Sequence, residues 1–179
     1  MSDHSVQSQP IQIILTGAIG VGKTTLANHL LALVPETVLG FRTLPLFENQ
    51  TRVGFGFQPL GGEIKSFAQY NPLTKLYSVD LEVFETLGCT ILQTALQANT
   101  FLFMDEIGFF EKPAQTYCQL VKSVLGSQLN YLVVIQQRVL DFWLEDLPRA
   151  ELDLYEVNTE NRNRLQTELA SRIKNRQPS

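Results

Sequence analysis

Residues that bind metals or close disulfides are scarce in this chain, with two cysteines and two histidines among 179 residues. Cys89 and Cys118 fall in segments patterned as amphipathic helix, and neither has a second thiol or a histidine at metal-ligand spacing. Both therefore read as small core residues in a reducing compartment. His4 lies in a polar N-terminal stretch and His29 within the first helical pattern, where a surface or core-edge role fits better than a catalytic one. No apolar run is long enough to cross a membrane, and Met1 to Pro10 lacks the charged-then-apolar order of a signal peptide. A cytoplasmic location is expected. Blocks of one charge are absent too, and a net charge of −4 leaves no electrostatic footprint for a nucleic-acid partner. The nearest approach to one, Arg162, Arg164, Arg172, Lys174 and Arg176, reads as the solvated face of a final helix. With 44% hydrophobic and 18% charged residues, the composition is that of a globular chain. Its length suits one domain, residues 10–175, behind a disordered leader at residues 1–9.

Glycine is placed where it matters. Gly17-Ala18-Ile19-Gly20-Val21-Gly22-Lys23-Thr24 is a complete G-x-x-x-x-G-K-[ST] phosphate-binding loop between an apolar strand, Ile11 to Leu15, and a helix, Thr24 to Leu33. Only glycines let successive N–H groups curl around phosphate oxygens, and the helix behind them aims its positive end at the same point. Lys23 is expected to reach the β- and γ-phosphates, Thr24 to ligate Mg²⁺, and Thr25 to hydrogen-bond the α-phosphate. Nucleoside triphosphates are the expected ligands.

Short β-like pieces follow, Thr37 to Thr43, Leu44 to Phe47 and Arg52 to Gln58, which predict an antiparallel hairpin at a sheet edge. Ile64 to Tyr70 is a further candidate strand, and Asp80 is placed to cap a helix from Leu81 to Ala98. Phe101 to Met104 and Tyr131 to Ile135 are wholly apolar, as strands buried on both faces are. Between and after them come a helix behind Pro113, a short helix at Val139 to Leu144, a strand at Leu152 to Val157 and a helix at Thr159 to Ile173. This alternation predicts an α/β fold, a three-layer αβα domain with a mostly parallel sheet and ligands at the carboxyl ends of its strands.

The apolar strand from Phe101 ends in Asp105-Glu106. Asp105 reads as the carboxylate on the metal side and Glu106 as the general base that activates water, the alternative being a pair that only caps the next turn. These pieces, with Gly40-Phe41-x-Thr43, Arg52-Val53-Gly54-Phe55, Tyr77-x-Val79-Asp80, Asp105-Glu106-Ile107-Gly108 through Glu111, and Thr159-Glu160-Asn161-Arg162-Asn163, run in one order along nearly the whole chain. In that order the chain resembles the nucleoside-triphosphatase family first described from thermophiles, which has a human cancer-related member. The resemblance implies slow, Mg²⁺-dependent hydrolysis of ATP, GTP and other nucleoside triphosphates on a P-loop NTPase domain with an additional strand and a catalytic glutamate. Two departures lie outside the phosphate site. Leu44-Pro45-Leu46-Phe47 replaces the family's acidic pair and arginine, and Phe109-Phe110 replaces a basic residue and methionine, giving a more apolar wall that bears on partner choice and base preference.

Arg138, at the carboxyl end of the Tyr131 strand, is the first candidate to neutralise charge on the transferred phosphoryl group, followed by Arg52 and Arg42. Asn161 and Arg162 fall where the base would lie, and an arginine plane stacks on any base; a helix cap at Asn158 or Thr159 is the competing reading. Two other functions remain open: a kinase that passes phosphate to a second substrate, and a nucleotide switch whose Phe47, Phe55 and Phe57 hairpin docks a protein partner. The exposure of those phenylalanines discriminates the last.

Overall fold

A computed structural model of the chain describes residues 9–175. Residues 1–8 of the expected leader, and Arg176 of the basic cluster, lie outside the described residues. Eight strands form one sheet: β1 (Gln12–Thr16), β2 (Val38–Glu48), β3 (Thr51–Pro59), β4 (Lys65–Asn71), β5 (Leu76–Val79), β6 (Phe101–Ile107), β7 (Tyr131–Ile135) and β8 (Leu154–Glu156). Their order is β5-β4-β3-β2-β6-β7-β1-β8. From β2 to β8 every neighbour is parallel, while β2 through β5 form an antiparallel meander.

Side chains that alternate along a central strand must enter two different cores. In β7, Leu132 and Val134 pack with α1 (Lys23–Leu31) and α5 (Arg162–Lys174). Tyr131, Val133 and Ile135 pack with α2 (Cys89–Ala98) and α3 (Gln115–Leu125) on the opposite face, together with Trp143 of the short α4 (Leu140–Trp143). Each fully buried branched side chain contributes roughly 1.5–3 kcal/mol. The result is the three-layer αβα arrangement, with Cys89 and Cys118 as free, buried core residues.

The structure departs from the sequence reading at three places. The expected hairpin is two strands longer, because β4 and β5 continue it antiparallel. The break expected at Leu44 does not occur, and β2 runs unbroken through Pro45. Beyond Arg42 it has no partner on the β6 side, so a residue without an N–H interrupts no ladder there. The last helix starts at Arg162 because Asn158 to Asn161 form a side-chain-bonded turn first. Residues Phe84–Gly88, inside the helix that Asp80 opens with its bond from the Glu82 N–H, are wound as a π turn. Gly88 faces the Tyr117 ring there, and a Cβ would sit 2.8 Å from it.

Candidate active site

β1 ends at Thr16, whose hydroxyl donates to the Ile135 carbonyl at 3.0 Å and ties it to the end of β7. The chain then turns back through Gly17, Gly20 and Gly22, at φ of 133°, 80° and 99°. At Gly17 a side chain is sterically barred as well, since a Cβ would run into the Val157 carbonyl behind the loop. Ala18, Ile19 and Gly20 are exposed at the tip, and α1 begins at Lys23. The loop is the concave, N–H-rich turn that binds phosphate. Lys23 is buried along its stem, and its Nζ donates to the Gly17 and Ala18 carbonyls at 2.9 Å each. Thr24 and Thr25 are exposed on the first turn of α1.

Asp105 and Glu106 arrive from β6. Thr24 Oγ1 donates to Asp105 Oδ1 at 3.3 Å, across 81 residues of sequence. Burial pushes the Asp105 carboxyl above its ordinary 3.8, opposed by the Thr24 bond and by the charges of Arg42 and Lys23. Glu106 is half-buried and is also pushed up from 4.5, again by burial first. Lys23 and Arg138 oppose that shift, and Asp105 adds to it. A carboxyl raised in this way accepts a proton more readily than one in water.

Arg138 is exposed behind β7; its Nε donates to Gln136 Oε1 at 3.1 Å and its guanidinium lies 5.5 Å from the Phe109 ring centroid. Arg42 pairs in register with Asp105 and rests over Phe103. Arg52 sits near the hairpin tip, opposite Phe47 and over Phe55. Arg162 lies across the loop, with Nη1 donating to the Val21 carbonyl at 3.4 Å, and a Cβ on Gly22 would approach its guanidinium to 2.8 Å. Asn161 spends its amide on the turn itself: Oδ1 accepts from the Asn158 N–H and Nδ2 donates to the Glu156 carbonyl. The Asn158 side chain accepts from the Glu160 and Asn161 N–H groups and so closes the turn before α5, whose own N-cap, Asn161, makes no side-chain cap bond.

Sequence reasoning missed two residues beside Glu106. Thr43, on β2, is hydrogen-bonded to the backbone of Glu106. Glu111 is buried and raised to about 7 by that burial, opposed by the N–H groups of Gly108 and Glu111 and by the Arg138 charge, with Glu106 adding to the shift. Its Oε2 has no hydrogen-bond partner, and neither has the buried Tyr117 hydroxyl. Both residues stand inside the motifs quoted above, so position was visible and role was not. The apolar wall expected from Phe109 and Phe110 is half formed. Phe109 is half-exposed under Arg138 and Lys112, while Phe110 packs against Phe55, Phe67 and Tyr77. Of the hairpin phenylalanines, Phe47 is 60% exposed and Phe57 is fully buried. Phe55 is partly buried against the core.

Strand, glycine loop, helix with Lys-Thr at its start, and an acidic strand end bonded to that threonine define a P-loop nucleoside-triphosphate hydrolase. Residues 12–170 match the NTPase family. The nucleoside-triphosphatase THEP1 of Thermotoga maritima is 30% identical over 168 residues, covering 92% of this chain and 96% of that one. The THEP1 of Methanocaldococcus jannaschii is 27% identical over 170 residues, covering 91% and 97%. Among solved structures, THEP1 from Aquifex aeolicus superposes with a TM-score of 0.72 at 28% identity, covering 92% of this chain and 99% of the other. The human cancer-related nucleoside triphosphatase gives the same TM-score at 27% identity, covering 94% and 100%. The chain belongs to this nucleoside-triphosphatase family.

Proposed function

We propose that this protein hydrolyses ATP, GTP and other nucleoside triphosphates to diphosphate and phosphate, slowly, with Mg²⁺ and with little regard to the base. The observation that carries the reading is the acidic strand end. Asp105 faces Thr24 while Glu106, the next residue, is half-buried with its carboxyl pushed up and Lys23 and Arg138 near it. The loop amides and Lys23 hold the phosphates, and Thr25 bonds the α-phosphate. Glu106 takes a proton from the attacking water as its oxygen bonds to the γ-phosphorus and the bond to the diphosphate breaks. Arg138 faces the charge that develops. Bonded to Gln136, beside the Phe109 ring and open to water, it is a weakly held neutralising group, which suits slow turnover.

Two hard oxygens side by side, Thr24 Oγ1 and Asp105 Oδ1, fit Mg²⁺, and a cation would reverse the direction in which burial moves Asp105. Among the described residues no cluster of three or more His, Cys, Asp or Glu side chains could hold a metal, so water and phosphate would complete the shell. When bound, the ion draws charge from the phosphoryl oxygens. Arg162 stacks on the base without reading its edge, and Asn161 holds the turn that carries it. With Phe57 buried in the core and Phe55 partly so, only Phe47 of the three hairpin phenylalanines is well exposed, which weakens the reading of a docking patch there. None of the described helices is long and apolar enough to cross a membrane, and the two free thiols fit a reducing, cytoplasmic setting.

The test is phosphate release from ATP, GTP, CTP and UTP, with Mg²⁺ or with chelator, and with small-molecule and nucleic-acid acceptors added in parallel. Release from all four that needs the metal and ignores acceptors is expected. Phosphate appearing on an acceptor would make the protein a kinase.

A further inference from the structure

β2 leaves the parallel ladder at Arg42, opposite Asp105. One residue further along β6 the pairing with β7 slips, passing from Asp105 directly to Ile107. Glu106 therefore stands in neither register, and the two ladders that fix every earlier residue of β6 do not fix this one. A bulged position is free to re-aim its side chain. At this point the Thr43 hydroxyl takes both backbone groups of Glu106: Oγ1 donates to the Glu106 carbonyl at 2.9 Å and accepts from the Glu106 N–H at 3.3 Å. One hydroxyl has the donor and the lone pair to do both at once. Threonine suits the task because its branched Cβ restricts χ1, so the hydroxyl is held in one direction. Its own backbone is anchored in turn. Thr43 pairs with Phe57 of β3, a fully buried ring stacked 4.5 Å from Phe41.

We propose that Thr43 is a positioning residue for hydrolysis, clamping the Glu106 peptide at the bulge so that the carboxylate points at the attacking water. The inference rests on the reading of Glu106 as general base. It also gives the antiparallel strands a part in the chemistry, since they hold Thr43 from the other side.

Nothing places the Thr43 hydroxyl on the nucleotide, so its loss should act on turnover and leave binding alone. Thr43→Val keeps the shape and removes the clamp. It should lower single-turnover hydrolysis by about tenfold to a hundredfold, the effect of a small misplacement, with nucleotide affinity unchanged. Thr43→Ser, which restores the hydroxyl, should return most of the rate. In a Glu106→Gln background Thr43→Val should have no further effect, because the group it aims is already gone. If Thr43→Val does not fold, Thr43→Ala carries the same comparison. A Glu106→Gln protein with full activity would overturn the base assignment itself. A defective Glu106→Gln beside a fully active Thr43→Val, or a Thr43→Val loss undiminished in the Glu106→Gln background, would overturn the clamp and leave the base standing.

Discussion

In β7, on the parallel side of the sheet, all five residues are buried; in β4, on the antiparallel side, two of seven are. The parallel strands lie between two helical layers, so both faces need apolar side chains. The antiparallel strands pack one face and leave the other to water, with Leu73, Leu76 and Phe47 well exposed at their turns and edge. The phosphate loop, Asp105 and Glu106 all stand at carboxyl ends of the parallel set, while the antiparallel set reaches them through Thr43. The proposed catalytic groups thus come from the ends of strands buried on both faces, and the half open to water contributes by holding one peptide.

Substitutions in the two halves test that contrast. The largest effect is expected in the parallel half. Lys23→Ala removes the charge on the phosphates and should reduce kcat/KM by about a hundredfold to a thousandfold, with binding weakened alongside; steady-state phosphate release and nucleotide titration check it. Within the antiparallel half, Phe57→Ala empties a fully buried site touching Phe41 and Phe84 and should cost roughly 3–5 kcal/mol in urea unfolding. Phe47→Ala, at a ring 60% exposed on the same hairpin, should stay within about 0.5 kcal/mol. Equal losses at the two positions would mean that Phe47 is covered by something in solution.

A smaller effect is expected at Glu111, behind the site. Its folded value, about 7, is raised above the ordinary 4.5, so the neutral acid is the form the fold favours. Its contribution is fully present below pH 4.5 and is lost as pH rises through 7. Between pH 5 and pH 8 this costs the wild type on the order of 2–3 kcal/mol. Glu111→Gln cannot ionise and should flatten the slope of unfolding free energy over that range. Asp105 and Glu106, raised in the same direction, should leave a residual slope of the same sign.

The readable parts of the fold were those whose cause is local. Tyr131–Ile135 was found to the residue because an unbroken apolar run has one explanation at that length, and the loop was found because its glycines are demanded by backbone geometry. The antiparallel extension was harder. The break expected between Thr43 and Leu44 is absent because β2 continues along β3 after it has outrun β6 on the other side. Thr43 and Glu111 stayed silent for a related reason. The Thr43 bond spans 63 residues, and Glu111 is buried with Tyr117 of α3 near enough to feel its charge, so no short window of sequence contains either cause.

The most direct test of the account is Glu106→Gln, with single-turnover phosphate release and nucleotide affinity measured on the same protein. Turnover should fall by on the order of a hundredfold or more while affinity holds, because the amide keeps the size of the side chain and cannot take a proton. Wild-type turnover in that variant, or a loss of rate matched by an equal loss of affinity, would contradict the assignment of Glu106 as the group that activates water.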